Sequence, residues 1–243
     1  MSTVILKLCT VPCTDAGRAI YQLGELPDDG VYKAMMHLQH QKNGTEFLPL
    51  NQHKIAAIAL LTIDGEKVSS QVIGDAASTE SDLLTELATQ LSSADELICW
   101  SGAEFDLPVI GYRFLKYGIA CPAFWNKDSL EAESMETLNL SDVLSGFSPD
   151  AEASFDELVQ LLGLVNGQGL SALDVLEEYL GGNVQAIRAA CEIDVANIYR
   201  IYLKYQKTCG DISDAEYLEL NHQFKQQLIS SDLPHLKQFA AAS

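Results

Sequence analysis

The side chains of this chain that are capable of chemistry are scattered. Six cysteines, Cys9, Cys13, Cys99, Cys121, Cys191 and Cys209, show no paired Cys-x-x-Cys spacing, so they read as reduced, mostly buried thiols rather than zinc ligands or a disulfide framework. The histidines form no metal cluster: His37 and His40 are spaced for one helical face, His53 follows a Phe-Leu-Pro segment, and His222 and His235 lie in an amphipathic tail. No glycine-rich phosphate loop and no Ser-His-Asp arrangement is present. Lys7 is the residue in an unusual setting. It sits inside the apolar run Val4-Ile5-Leu6-Lys7-Leu8-Cys9-Thr10-Val11-Pro12, where a lysine either snorkels from a strand end or needs an anionic partner. Successive strand side chains alternate faces, so Cys9 shares the face of Lys7. Asp106 and Asp194, taken singly, read as a helix cap and a surface carboxylate.

The elements that would position these residues follow from periodicity. Val4 to Cys9 and Lys54 to Thr62 are apolar, partly β-branched runs, and Ile63-Asp64-Gly65-Glu66 ahead of Lys67 to Ile73 is a hairpin signal, which gives three early strands. Ser78-Thr79-Glu80-Ser81 supplies capping residues before Leu83, Leu84, Leu87 and Leu91, one helical face, and Glu96 to Trp100 then reads as a buried strand. Phe105 to Tyr117 predicts a helix with Pro108 in its first turn. Helices are further predicted at Ser154 to Leu162, Ser171 to Leu180, Asn183 to Tyr205 and Asp214 to Leu228, while Cys121 to Gly146 is the least regular segment. Strands first and helices later suit an α/β domain with a mixed sheet flanked by helices and a mostly helical C-terminal half.

Two segments carry a resemblance. Cys99-Trp100-Ser101-Gly102-Ala103-Glu104-Phe105-Asp106-Leu107-Pro108-Val109-Ile110 and Cys191-Glu192-Ile193-Asp194-Val195-Ala196-Asn197-Ile198-Tyr199 resemble the second and third motifs of the bacterial predicted 3'-5' exonucleases related to the proofreading domain of family B DNA polymerases. Gln41 to Pro49 followed by His53 to Ile58 resembles that family's approach to its second strand. The family belongs to the DEDD superfamily and has an RNase H-like fold. The resemblance runs from about Val4 to about Gly210, implying an exonuclease-type domain over residues 1–210, with 211–243 as a C-terminal helical extension packed on it.

Four carboxylates hold two divalent ions in an active DEDD enzyme, one generating the hydroxide nucleophile and the other stabilising the leaving oxygen. By resemblance the third and fourth carboxylates are Asp106 and Asp194. The first motif of the family reads Phe-Asp-Ile-Glu-Thr-Val-Pro, so its Asp falls on Lys7 and its Glu on Cys9, with Thr10, Val11 and Pro12 kept. The local formal charge thus goes from about −4 to about −1. Magnesium prefers oxygen ligands, and an ammonium at the bridging position repels it. The tyrosine that orients the attacking water falls on Ala190, the asparagine opening the second motif on Ser101, and a Pro-Gly-Lys turn on Val165-Asn166-Gly167-Gln168. The family carries basic and tyrosine residues ahead of a His-x-Asp-Leu-Met-Asp-like stretch, and the residues corresponding to that stretch are Thr137-Leu138-Asn139-Leu140-Ser141-Asp142. Lys7 is expected within salt-bridging reach of Asp106 and Asp194.

The expected function is therefore that of a degenerate, catalytically inactive exonuclease-fold protein, a pseudoenzyme kept as a nucleic-acid-related or protein-interaction module. The alternative is a residual metal-dependent 3'-5' exonuclease on single-stranded DNA or RNA ends, using Asp106, Asp194 and Glu104 or Glu192. No cofactor is expected for the first; the second needs Mg2+ or Mn2+, with Asp106 and Asp194 holding one weak ion. Composition points away from nucleic acid: the 243 residues carry a formal charge of −19, and phosphate binding rests on lysine and arginine. Between Lys127 and Arg188 no basic residue occurs, while Asp128, Glu131, Glu133, Glu136, Asp142, Asp150, Glu152, Asp156, Glu157, Asp174, Glu177 and Glu178 crowd the stretch. A protein partner is the expectation that follows. With no basic-then-apolar leader and no bilayer-length apolar run, a cytoplasmic location is expected.

Overall fold

The computed structural model describes residues 2–65, 67–125, 135–165 and 170–242. Lys127, Asp128, Glu131 and Glu133 of the acidic stretch, residues 166–168 of the segment matched to the family's Pro-Gly-Lys turn and Glu66 of the hairpin lie outside the described residues. Strand β1 (Ser2–Pro12) is followed by α1 (Thr14–Tyr21) and α2 (Asp28–Asn43), then by the antiparallel pair β2 (His53–Asp64) and β3 (Lys67–Val72). Helix α3 (Glu80–Leu91), strand β4 (Glu96–Cys99), a π-helical turn at Gly102–Asp106, α4 (Leu107–Tyr117) and the short α5 (Pro122–Trp125) come next. Strand β5 (Glu136–Asn139) and α6 (Leu140–Leu144) lead to α7 (Phe155–Leu161), α8 (Ala172–Leu180), α9 (Val184–Cys209), α10 (Asp214–Ser230) and α11 (Pro234–Ala242).

The sheet order is β3-β2-β1-β4-β5. β1 runs antiparallel to β2 and parallel to β4, and β4 runs parallel to β5. This mixed sheet with helices on both faces is an RNase H-like arrangement. Alternation along β1 separates the two core layers: Val4, Leu6 and Leu8 pack with Leu84 and Leu87 of α3 and Ile110 and Phe114 of α4, whereas Ile5, Cys9 and Val11 pack with Ile187, Cys191 and Val195 of α9. Phe224 and Leu228 of α10 and Leu236 and Phe239 of α11 join the α9 layer, where Tyr199 and Phe224 meet edge to face with ring centroids 4.7 Å apart.

Several helix starts follow from capping. Thr79, Ser154, Ser171 and Ser213 each accept from the backbone N–H three residues on, and the acidic residue there reaches back to the cap. Helix α4 is held by a buried ion pair between Arg113 and Glu80, whose Oε1 also accepts from Ile55 N–H at 2.7 Å. One glutamate thus ties α3, β2 and α4 together, and breaking the pair would leave a buried charge uncompensated. Among the described residues no helix is long and apolar enough to cross a membrane.

Candidate functional site: a lysine facing two aspartates

β1 delivers the first side chains of the site. Lys7 pairs in register with Ala59, and Cys9 with Ala57, before the register shifts between Cys9 and Thr10. Cys191 of α9 donates its thiol to Lys7 O at 3.3 Å, which fixes α9 against the strand and brings Asp194, one turn later, toward the same pocket. Asp106 arrives from the other side. The chain leaves β4, and Gly102 approaches so closely that an added Cβ would stand 2.5 Å from Cys99 Cβ. Gly102 N–H donates to Asn139 Oδ1 at 3.2 Å, and the π-helical turn that follows ends on Asp106. Turns of this kind interrupt helices mostly where a side chain must be re-aimed.

The structure brings Lys7, Asp106 and Asp194 into one electrostatic unit. Burial alone would lower the pKa of Lys7, but Asp106 and Asp194 outweigh it and hold the ammonium charged well above its ordinary value. Burial raises the Asp106 carboxyl from 3.8 to about 6, with Lys7 opposing and Asp194 adding to the rise. Asp194 is likewise raised from 3.8 to about 6, by burial first, against Lys7 and with help from Asp156. The expected direct salt bridge is not formed. Among the described residues no Lys7 ion pair closes to 4.0 Å, and its ammonium lies instead 5.5 Å from the centroid of the Phe155 ring. The packing of Phe155 beside Trp100, ring centroids 5.6 Å apart, sets that position.

The other sequence-selected residues are placed as follows. Asp106 is 4% exposed and does not cap α4 with its side chain, so its reading as a helix cap fails. Ser101 Oγ donates to Glu152 Oε1 at 3.2 Å. Ala190 lines a cavity of about 350 Å³ between α9 and α11, together with Ile193, His235 and Phe239. Glu192 is committed elsewhere: it accepts from Ser70 Oγ at 3.1 Å and lies 2.8 Å from His235 Nε2, so it is not free to serve Asp106 and Asp194. Glu104 is exposed, and crowding by Glu152 raises its carboxyl pKa. The stretch Thr137 to Asp142 that the resemblance points to forms a polar network, in which Asn139 Nδ2 donates to Asp142 Oδ2 at 2.6 Å and Ser141 Oγ donates to Asn139 Oδ1 at 3.3 Å; these bonds were not legible in the sequence, because polar residues in an irregular stretch give no periodic signal.

Among the described residues no group of three or more histidine, cysteine, aspartate or glutamate side chains is arranged to hold a metal ion. The donor set explains why a two-ion site does not fit: a neutral thiol and an ammonium stand on the β1 face, and two aspartates cannot supply the oxygen ligands that two hard cations require. Asp194→Asn should raise the unfolding free energy by about 1 kcal/mol at pH 7.5, because it leaves Lys7 and Asp106 as a balanced pair and removes a carboxylate whose ionisation is penalised by burial. Urea denaturation measures this, and a loss of stability would show that the Asp194 charge is compensated in the fold.

A five-stranded mixed sheet with β1 antiparallel to β2, and aspartates from the β4–α4 turn and from α9 converging on β1, define an exonuclease-type RNase H-like domain. Residues 45–243 match the family described as predicted 3'-5' exonuclease related to the exonuclease domain of PolB. The chain belongs to that family. The match takes in Asp106, Ala190 and Asp194 and continues through α10 and α11, while β1 with Lys7 and Cys9 precedes it. No curated protein matches the chain significantly.

Proposed function

We propose that this family member does not cleave nucleic acid and serves as an interaction module built on the exonuclease fold. The observation that carries this reading is the Lys7 ammonium acting on both Asp106 and Asp194. It supplies internally one of the positive charges that a nuclease of this class takes from divalent ions, but an ammonium is not a Lewis acid and does not turn a bound water into hydroxide as a metal ion does. Ala190 adds to the case, since a methyl group cannot orient water.

The test is incubation of the protein with end-labelled single-stranded DNA and RNA in magnesium or manganese, beside an Asp194→Ala control. No release of nucleotides above that control is expected. Turnover that disappears in Asp194→Ala would overturn the reading and establish a residual metal-dependent 3'-5' exonuclease. Binding of the same strands should be weak or absent at physiological salt, because the charge of −19 opposes approach and few cations are available to release counterions. Anisotropy titrations check this; submicromolar affinity with a steep salt dependence would contradict it.

A further inference from the structure

We propose that Cys9 of β1 and Cys191 of α9 form a redox site that closes to a reversible disulfide when the protein meets a peroxide. This goes beyond the interaction-module reading and does not depend on it. The two cysteines belong to one buried cluster on the α9 side of the sheet. Cys191 Sγ donates to Lys7 O at 3.3 Å, and its thiol also engages that of Cys9 in a hydrogen bond. A helix sulfur reaches strand backbone this closely only between small neighbours. Ala59 and Ala57 supply them on β2, in register with Lys7 and Cys9 and fully buried, and Ala190 precedes Cys191 on α9. Such an approach suits a bridge, whose Cα atoms stand about 5.5–6 Å apart.

The other four cysteines are placed for different roles. Cys99 and Cys121 pack in the layer on the opposite face of the sheet. Cys13 Sγ accepts from Arg113 Nη1 at 3.5 Å and lies 3.8 Å from Lys116 Nζ. Cys209 is exposed at the end of α9.

Lys7 is a cation acting on both sulfurs, and a neighbouring ammonium favours the thiolate, the form that attacks an oxidant. Cys9, 8% exposed against 0% for Cys191, is the sulfur that a small peroxide reaches first. Its attack on one peroxide oxygen breaks the O–O bond. The departing oxygen leaves as water after taking up a proton, and Cys9 becomes a sulfenic acid. The Cys191 sulfur then attacks the Cys9 sulfur, the S–O bond breaks, and the hydroxide takes the Cys191 proton to leave as a second water. Two thiols are oxidised to one disulfide and one peroxide is reduced to two waters. The bridge pins α9 to β1 beside Lys7 and takes the Cys191 thiol away from Lys7 O.

The experiment treats the full chain with hydrogen peroxide, in a Cys209→Ser background that removes the exposed thiol, and maps disulfides in a non-reducing digest. A Cys9–Cys191 cross-link is expected, reversed by dithiothreitol, with Cys99 and Cys121 recovered as free thiols. Oxidation should raise the Tm by at least about 4 °C, because the bridge closes a loop spanning most of the chain. Cys9→Ser and Cys191→Ser should each abolish that rise, and dimedone should trap a sulfenic acid on Cys9 in Cys191→Ser. Absence of the cross-link at a peroxide dose that oxidises all of Cys209 in the wild type would overturn the proposal. So would a cross-link that forms as readily in urea as in the native protein, or one that joins Cys9 to Cys13. Should either serine variant fail to fold, the digest of the parent protein decides alone.

Discussion

Lys7→Ala is expected to lower the unfolding free energy by about 3 kcal/mol at pH 7.5, because it leaves the buried Asp106 and the half-buried Asp194 in one pocket with no cation. Lys33→Ala, at a lysine whose side chain is 81% exposed, should change it by less than about 0.5 kcal/mol. Lys7→Met, which keeps the apolar stem, separates lost charge from lost packing and should cost nearly as much as alanine. The pH dependence identifies the cause. In the wild type both aspartates have folded pKa values raised from 3.8 to about 6, so the folded state binds protons that the unfolded chain releases. Their contribution to stability is most favourable below about pH 4, declines to about pH 6 and is level above that. Without Lys7 the opposing field is gone, the folded pKa values rise further, and the decline extends to higher pH. The deficit of Lys7→Ala should therefore be small below about pH 5, grow as pH climbs through about 6, where the wild-type aspartates ionise, and be complete by about pH 9. Lys7 itself, raised above 10.5, contributes fully below that value and loses its contribution as pH climbs past it. A deficit independent of pH between 4 and 8 in urea denaturation would show that lost packing, not charge, explains the effect.

How far the fold was legible depended on how local its determinants are. β1 to β4 and α3, α7, α8, α9 and α10 announced themselves through alternation, capping serines and threonines, and apolar spacing, all carried by neighbouring residues. β5 did not: Glu136 to Asn139 is exposed at its start and buried only at Asn139, so the strand exists because β4 offers it an edge. The predicted start of a helix at Phe105 missed the π-helical turn, which depends on Gly102 fitting against Cys99 and bonding to Asn139, contacts distant in sequence or invisible to periodicity. At the site, strand alternation placed Lys7 and Cys9 on one face, and the sheet bears that out. What the sequence could not convey was separation. Whether Lys7 touches an aspartate or acts across space is decided by how Phe155 and α9 pack, and those details put the ammonium against an aromatic ring.

Lys7→Asp and Cys9→Glu, which install the carboxylates that the resemblance puts at these positions, should make the stability of the fold depend on divalent metal. Four carboxylates would then converge where one cation now stands, and like charges at that spacing repel unless protons or ions come between them. In EDTA the double variant should lose more than about 2 kcal/mol relative to the wild type at pH 7.5, with most of the loss disappearing at acid pH as the carboxyls protonate. Magnesium should reverse it, because a ligand that binds only the native state stabilises by mass action, about 2.7 kcal/mol at a hundred times its dissociation constant. The wild type, in which the ammonium already occupies that field, should shift its Tm by less than about 1 °C in millimolar magnesium. Nuclease activity need not return with the metal, since Ala190 offers no hydroxyl to hold water. Thermal denaturation of both proteins in EDTA, magnesium and manganese decides the matter. A wild-type shift as large as that of the double variant, abolished by Asp106→Ala, would show that Asp106 and Asp194 bind an ion despite Lys7 and that the tethered ammonium does not replace it.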